Sequence, residues 1–167
     1  MEKRKFDKLG IETSLLGFGC MRFPLNSDGG IDEELAEKML DLAMASGVNY
    51  YDTAYPYHNG DSEPFLGRVL DKYERGSYYL ATKLPVWKLE KKEDAENIFN
   101  EQLKRLNKDY VDFYLLHALN KDSFNKVLEL GVIEVCEKLK AEGKIKYLGF
   151  SFHDDYDTFE RIITYRD

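Results

Sequence analysis

The chain has 167 residues with a formal net charge of −7, and 43% of its residues are hydrophobic and 14% aromatic. That composition suits one packed domain, or part of a larger one, and its negative charge excludes nucleic acid, which needs a basic surface. No apolar run approaches the ~20 residues that span a bilayer, which excludes a membrane-spanning helix.

The opening MEKRKFDKLG is charged and lacks the apolar segment of a signal peptide. Cys20 and Cys136 are far apart without a partner at metal-ligand spacing, so reduced thiols, a cytoplasmic location and no metal are expected. RKFDKLGIET (4–13) reads as a short hairpin turning at Gly10, and SLLGFGCMRF (14–23) as the first buried strand. NSDGG is a loop, after which Asp32 caps a helix from about Glu33 to Ser46, with Leu35, Met39, Leu42 and Ala43 at helical spacing and Gly47 as its stop.

The cycle then repeats. VNYYDTA is strand two, followed by a helix from about Ser62 with Phe65, Leu66, Val69 and Leu70 on one side. SYYLATKL is strand three, and a helix over about 93–106 presents Ala95, Ile98, Phe99, Leu103 and Leu106. DYVDFYLLHAL is strand four; Val132, Val135, Cys136 and Leu139 mark a helix ending near Gly143. IKYLGFSF is strand five, and Asp157 is placed to start a last helix through Phe159, Ile162 and Ile163.

Apolar strands alternating with helices predict an α/β fold with a parallel sheet buried on both faces. The period is that of a TIM-type (β/α) barrel, incomplete at about five of eight βα units, in one domain over 1–167. Asp52, Lys83, His117 and Ser151 each close a strand, at intervals of 31, 34 and 34 residues. In such a barrel the carboxyl ends of the strands converge on one face, and that face carries the chemistry.

Each residue also has a bland reading. Asp52 would serve as a loop cap, Lys83 as a solvated charge and His117 as a satisfied interior histidine. Trp87 lines a substrate entrance or covers the barrel edge. His58, His117 and His153 on separate loops are a weak zinc signal.

Read in order, KLGIETSLLGFGCMR, YYDTAYPYHNGDSE, LATKL, DYVDFYLLH and GKIKYLGFSFHD resemble the aldo-keto reductase family over the whole chain. GFSFHD and DTAYPYHNGDSE look most like bacterial members with an additional iron–sulfur domain, whose cysteines are absent here. The resemblance implies a catalytic set of Asp52, Tyr57, Lys83 and His117. Tyr57 is preferred over Tyr55 because its offset from Asp52 matches the family motif. It further implies NADPH, or NADH, near Gly19, Cys20, Met21 and Asp52, with Ser151 against the carboxamide. Phe152 stands where many relatives have Asn. The family's late βα units, which hold most of the cofactor's adenosine end, are not among these five, so weak or absent NADPH binding is expected of this chain alone.

A free phenol has a pKa of about 10 and donates poorly at neutral pH; a neighbouring ammonium stabilises the phenolate. The implied function is reduction of an aldehyde or ketone by NAD(P)H. Tyr57 is general acid, Lys83 lowers its barrier, Asp52 holds Lys83 and His117 orients the carbonyl. The alternative is a truncated, non-catalytic barrel fragment serving as an assembly or interaction module. A phosphate-handling isomerase barrel leaves the tyrosine–lysine pair unexplained. An incomplete barrel has unpaired strand edges, so self-association or pairing with a complementing chain is expected alongside a small carbonyl substrate.

Overall fold

The computed structural model describes residues 1–165; Arg166 and Asp167, the end of the expected domain, lie outside the described residues. The chain opens with an antiparallel hairpin of β1 (Lys3–Phe6) and β2 (Ile11–Ser14). Gly10 sits at φ +66 in the turn, a conformation that costs glycine little. Five parallel strands follow: β3 (Phe18–Gly19), β4 (Tyr50–Asp52), β5 (Tyr79–Leu84), β6 (Val111–Leu119) and β7 (Ile145–Phe152). They lie side by side in chain order, as successive βα units of a TIM-type barrel do.

The helices are α1 (Glu33–Ala45), α2 (Ser62–Leu70), α3 (Lys92–Leu106), α4 (Lys121–Glu129), α5 (Val132–Ala141) and α6 (Tyr156–Ile163). Asp32 caps α1 by accepting from the Leu35 N–H, as its position predicts. Three expectations need correction. The first strand is shorter than 14–23, because Ser14 finishes the hairpin and only Phe18 and Gly19 pair with β4. Helix α4 was not anticipated; its short apolar stripe, Phe124 and Val127, is set by a reciprocal cap between Asn120 and Ser123. Helix α6 is capped by Asp155, which accepts from the Thr158 N–H, two residues before the expected Asp157.

Strand side chains alternate. One set (Tyr51, Leu80, Leu84, Tyr114, Leu116) points into the helical layer, where Phe65, Leu66, Phe99, Leu106 and Leu139 complete the core. The other set faces the barrel interior, starting from half-buried Tyr50, Tyr79, Phe113 and Tyr147. Phe113 lies 5.3 Å from Tyr50 and 5.0 Å from Tyr147, ring to ring. The hairpin seals this amino-terminal end: Asn49 joins Ser14 and Glu12, and the Tyr147 hydroxyl donates to the Leu9 carbonyl at 3.1 Å. Among the described residues no helix is long and apolar enough to cross a membrane.

Candidate active site

At the carboxyl ends of the strands the inward set becomes polar. In the β5–β6–β7 register Lys83 stands beside Leu115, and Leu115 beside Gly149. Two residues further on, an even step that keeps the face, come His117 and Ser151. Asp52 ends β4 opposite Ala81, again two residues from Lys83. Period-two alternation therefore brings Asp52, Lys83, His117 and Ser151 to one end of one face.

The Lys83 ammonium is buried and its three hydrogens have three acceptors. It donates to Asp52 Oδ1 at 2.5 Å, to the Thr53 carbonyl at 2.8 Å and to the Tyr57 hydroxyl oxygen at 3.2 Å. Because Tyr57 accepts from Lys83, its own hydrogen is left to donate elsewhere. Asp52 is held above the usual carboxylate range by burial, which the Lys83 charge opposes.

Tyr57 opens a tight 3-10 turn (Tyr57–Gly60) between β4 and α2. His58 and Asn59 in it adopt left-handed backbone at φ +51 and +54, and Gly60 follows at φ +102. Nε2 of His58 accepts from the Phe23 N–H at 3.0 Å, fixing the turn to the loop after β3. Tyr55 is turned away, its hydroxyl donating to Glu101 at 3.0 Å on the outer surface.

The His117 ring meets Tyr57 edge-on at 5.9 Å and lies 5.1 Å from Trp87, which is exposed at the rim. Burial first, then the charges of Lys83 and His153, push its pKa down to about 4, so the imidazole is neutral at neutral pH. The next residue, Ala118, has φ +52 at an irregularity in the β6–β7 pairing. Its N–H is received by Ser151 Oγ at 2.7 Å, which leaves the Ser151 hydroxyl hydrogen free.

The residues expected at a nicotinamide ring divide. A side chain at Gly19 would meet nothing within 4 Å, so open space lies above it. Met21 is exposed and lines an open cleft of about 660 Å³ with Phe23, Leu25, Tyr57, His58 and His117. Cys20 turns its fully buried thiol into the core, where burial first and then the Asp52 charge raise its pKa well above the ordinary value. Phe152 packs against Phe150 and Phe159, away from the constellation. Among the described residues no three His, Cys, Asp or Glu side chains are grouped to hold a metal ion.

Sequence reasoning missed the buried layer beneath the site. Gln102 of α3 donates to Glu63 Oε1 at 2.7 Å and to the Lys83 carbonyl at 3.0 Å, and accepts from Tyr114 at 2.7 Å. Thr82 donates to the same Glu63 oxygen at 2.6 Å. Burial holds Glu63 above the usual carboxylate range. One signal was available: Gln102 interrupts the apolar stripe of Ala95, Phe99, Leu103 and Leu106, where a polar residue needs partners.

Known proteins share this fold. Residues 15–166 match the profile of the Aldo/keto reductase family. L-galactose dehydrogenase of Arabidopsis thaliana is 33% identical over 158 residues, 90% of this chain and 48% of that protein. An aldo-keto reductase of Bacillus subtilis (strain 168) is 32% identical over 97% of this chain and 51% of its own length. Among solved structures, the holo form of an aldo-keto reductase from Bacillus halodurans superposes with a TM-score of 0.78 at 32% identity, covering 98% of this chain and 54% of that one. One from Klebsiella pneumoniae in complex with NADPH gives 0.76 at 25% identity, over 93% and 51%. The chain thus spans about half the length of the relatives it matches.

Proposed function

This chain belongs to the aldo/keto reductase family, and from that premise we propose that it carries the proton-transfer half of an NADPH-dependent reductase of aldehydes or ketones. The observation that carries the reading is the direction of one hydrogen bond. Lys83 donates to the Tyr57 oxygen at 3.2 Å, leaving the phenolic hydrogen as the donor to a bound carbonyl.

The chemistry follows from the residues. As negative charge builds on the carbonyl oxygen, Tyr57 delivers its proton there. The anion left on Tyr57 faces the Lys83 ammonium and is stabilised by it. Asp52 at 2.5 Å and the Thr53 carbonyl keep that ammonium pointed at the tyrosine. Neutral His117, edge-on to Tyr57, orients the carbonyl by hydrogen bonding, and with its pKa pushed down to about 4 it is too weak a base to take the proton itself. Met21, Phe23 and Leu25 give the cleft an apolar wall.

Gly19, Met21, Asp52 and Ser151 are the residues that would hold the nicotinamide end of the cofactor. The free hydroxyl hydrogen of Ser151 suits an amide oxygen, and the space over Gly19 suits a flat ring. The cofactor, when bound, supplies the hydride. The backbone beside Cys20 completes that wall.

The test uses Trp87, the sole tryptophan, as reporter beside His117. NADPH is titrated into the protein while tryptophan fluorescence and molar mass are followed, and carbonyl reduction is assayed with Tyr57→Phe and Tyr55→Phe. The proposal expects weak or no quenching from the chain alone and saturable quenching where the molar mass shows association. Where reduction is measurable, Tyr57→Phe loses about 10²–10⁴-fold and Tyr55→Phe changes little. Equal effects of the two variants overturn the role of Tyr57. Neither binding nor reduction at any molar mass overturns the enzymatic reading and leaves the assembly module.

A further inference from the structure

Two consecutive non-glycine residues in left-handed backbone, His58 and Asn59, make the turn after Tyr57 a strained one. Such residues cost on the order of 1–3 kcal/mol each and persist only where surrounding contacts impose them. One side chain from outside the turn touches both its ends. Arg105, on α3, donates through one terminal nitrogen to the Tyr55 carbonyl at 3.2 Å and to the Gly60 carbonyl. Those carbonyls bracket Pro56, Tyr57, His58 and Asn59.

The guanidinium is itself held on three sides. Its Nε lies 3.2 Å from buried Glu63 Oε2, another nitrogen lies 3.8 Å from Glu101, and its plane covers the Tyr55 ring at 4.4 Å. Glu63 Oε2 has no hydrogen bond of good geometry, so the Nε contact is chiefly electrostatic. A methyl group at Gly60 would stand 3.0 Å from the guanidinium, so the turn is fitted closely against it.

The other end of the same network reaches the partner of Tyr57. Glu63 shares Oε1 with Thr82 and Gln102, and Gln102 also donates to the Lys83 carbonyl. One buried cluster on α2, α3 and β5 therefore fixes the backbone under Lys83 and, through Arg105, both ends of the turn that carries Tyr57.

We propose that Arg105 is a positioning residue: by clamping the Tyr55 and Gly60 carbonyls it sets the Tyr57 hydroxyl against Lys83. The inference rests on the reading of Tyr57 as proton donor, and it is tested by a measurement that needs no turnover. Protein labelled with 3-fluorotyrosine is examined by fluorine NMR, with the Tyr57 resonance among the 12 tyrosines identified by its loss in Tyr57→Phe. In the parent, Lys83→Met shifts that resonance because the two groups touch. In Arg105→Lys, which keeps a positive charge but cannot hold two carbonyls and Glu63 together, the response to Lys83→Met falls to about half or less. Arg105→Gln, which loses the guanidinium fork altogether, gives the same loss.

Resonances of tyrosines outside this network, Tyr147 against the hairpin and Tyr165 against Phe124, stay in place in each folded variant. Where reduction is measurable, Arg105→Lys lowers kcat by about 10²-fold with a smaller change in KM, as expected when a donor is displaced by about an ångström. An unchanged Tyr57 resonance and an undiminished Lys83 response in Arg105→Lys overturn the proposal, whatever the activity. A shifted Tyr57 with no reductase activity in the parent leaves the clamp standing and removes the catalytic reading instead. Global unfolding of Arg105→Lys and Arg105→Gln, seen as collapse of all twelve resonances, assigns Arg105 to the core and refutes a specific positioning role.

Discussion

Asp52 and Lys83, on adjacent strands, meet at 2.5 Å with the lysine side chain 6% and the aspartate 27% exposed. Most of that carboxylate's compensation for leaving water therefore comes from one ammonium. Lys83→Met strands it, and stability is expected to fall by about 1–3 kcal/mol at neutral pH, since breaking a largely buried pair exposes the cost of the remaining charge. The sign with pH is fixed. Without Lys83 the folded-state pKa of Asp52 rises further above its unfolded value, so the variant regains stability as pH falls towards 4 and loses it above. Urea midpoints at pH 5 and pH 8 check this; a loss independent of pH would refute it.

His117 titrates in the opposite sense. Its pKa is pushed down to about 4 by burial and by Lys83, against about 6.5 when unfolded. Between those values the unfolded chain binds the extra proton and the folded chain does not, so this group's contribution weakens as pH falls from about 6.5 to 4 and is constant above and below. His117→Asn should flatten that part of the stability curve. The difference between parent and variant isolates it from Asp52 and Glu63, whose raised pKa values slope the other way. Parallel curves would show that the imidazole is freely hydrated.

Ser151 Oγ receives the N–H of left-handed Ala118 at 2.7 Å. Ser151→Ala is expected to cost about 1–2 kcal/mol, the value of an N–H left without its acceptor in a half-buried site. Ala118→Gly relieves the strain of a Cβ at positive φ and should lie within about 1 kcal/mol of the parent, on the stable side. Thermal unfolding of both separates the bond from the strain; destabilisation by Ala118→Gly would contradict the assignment.

At Gly67 the backbones of α2 and α3 are in contact. A Cβ there would sit 2.3 Å from the Leu106 carbonyl oxygen, which cannot yield without moving the helix. Gly67→Ala should cost about 3 kcal/mol or more, at the top of the range for overpacking. Gly76→Ala, which meets nothing within 4 Å, should change stability by less than about 1 kcal/mol. Denaturation midpoints that fail to separate the two would refute the close approach.

The parallel sheet was legible because its strands are continuous apolar runs ending in single polar residues. Asp52, Lys83, His117 and Ser151 fall on one face by counting in twos. What could not be read were features set by three-dimensional closure. Nothing local announces that Cys20 turns inward while Met21 turns outward, since β3 has only two paired residues to define its faces. Helix α4 escaped because its apolar stripe is two residues long and its signature is a cap. Arg105 was hidden by its place on a charged helix, and its partners lie 45 and 50 residues away.

The hairpin beneath the sheet bears on the order of assembly. The bond from Tyr147 to the Leu9 carbonyl joins residues 138 apart, across every intervening βα unit. Loop-closure entropy disfavours such a contact until the shorter-range pairings of β3 to β7 already exist. A hairpin early in the sequence is thus among the last elements to be fastened. The hairpin is a latch drawn after the staves are set, and its amides should be the ones that report, by early hydrogen exchange, when the last strand has lost its place.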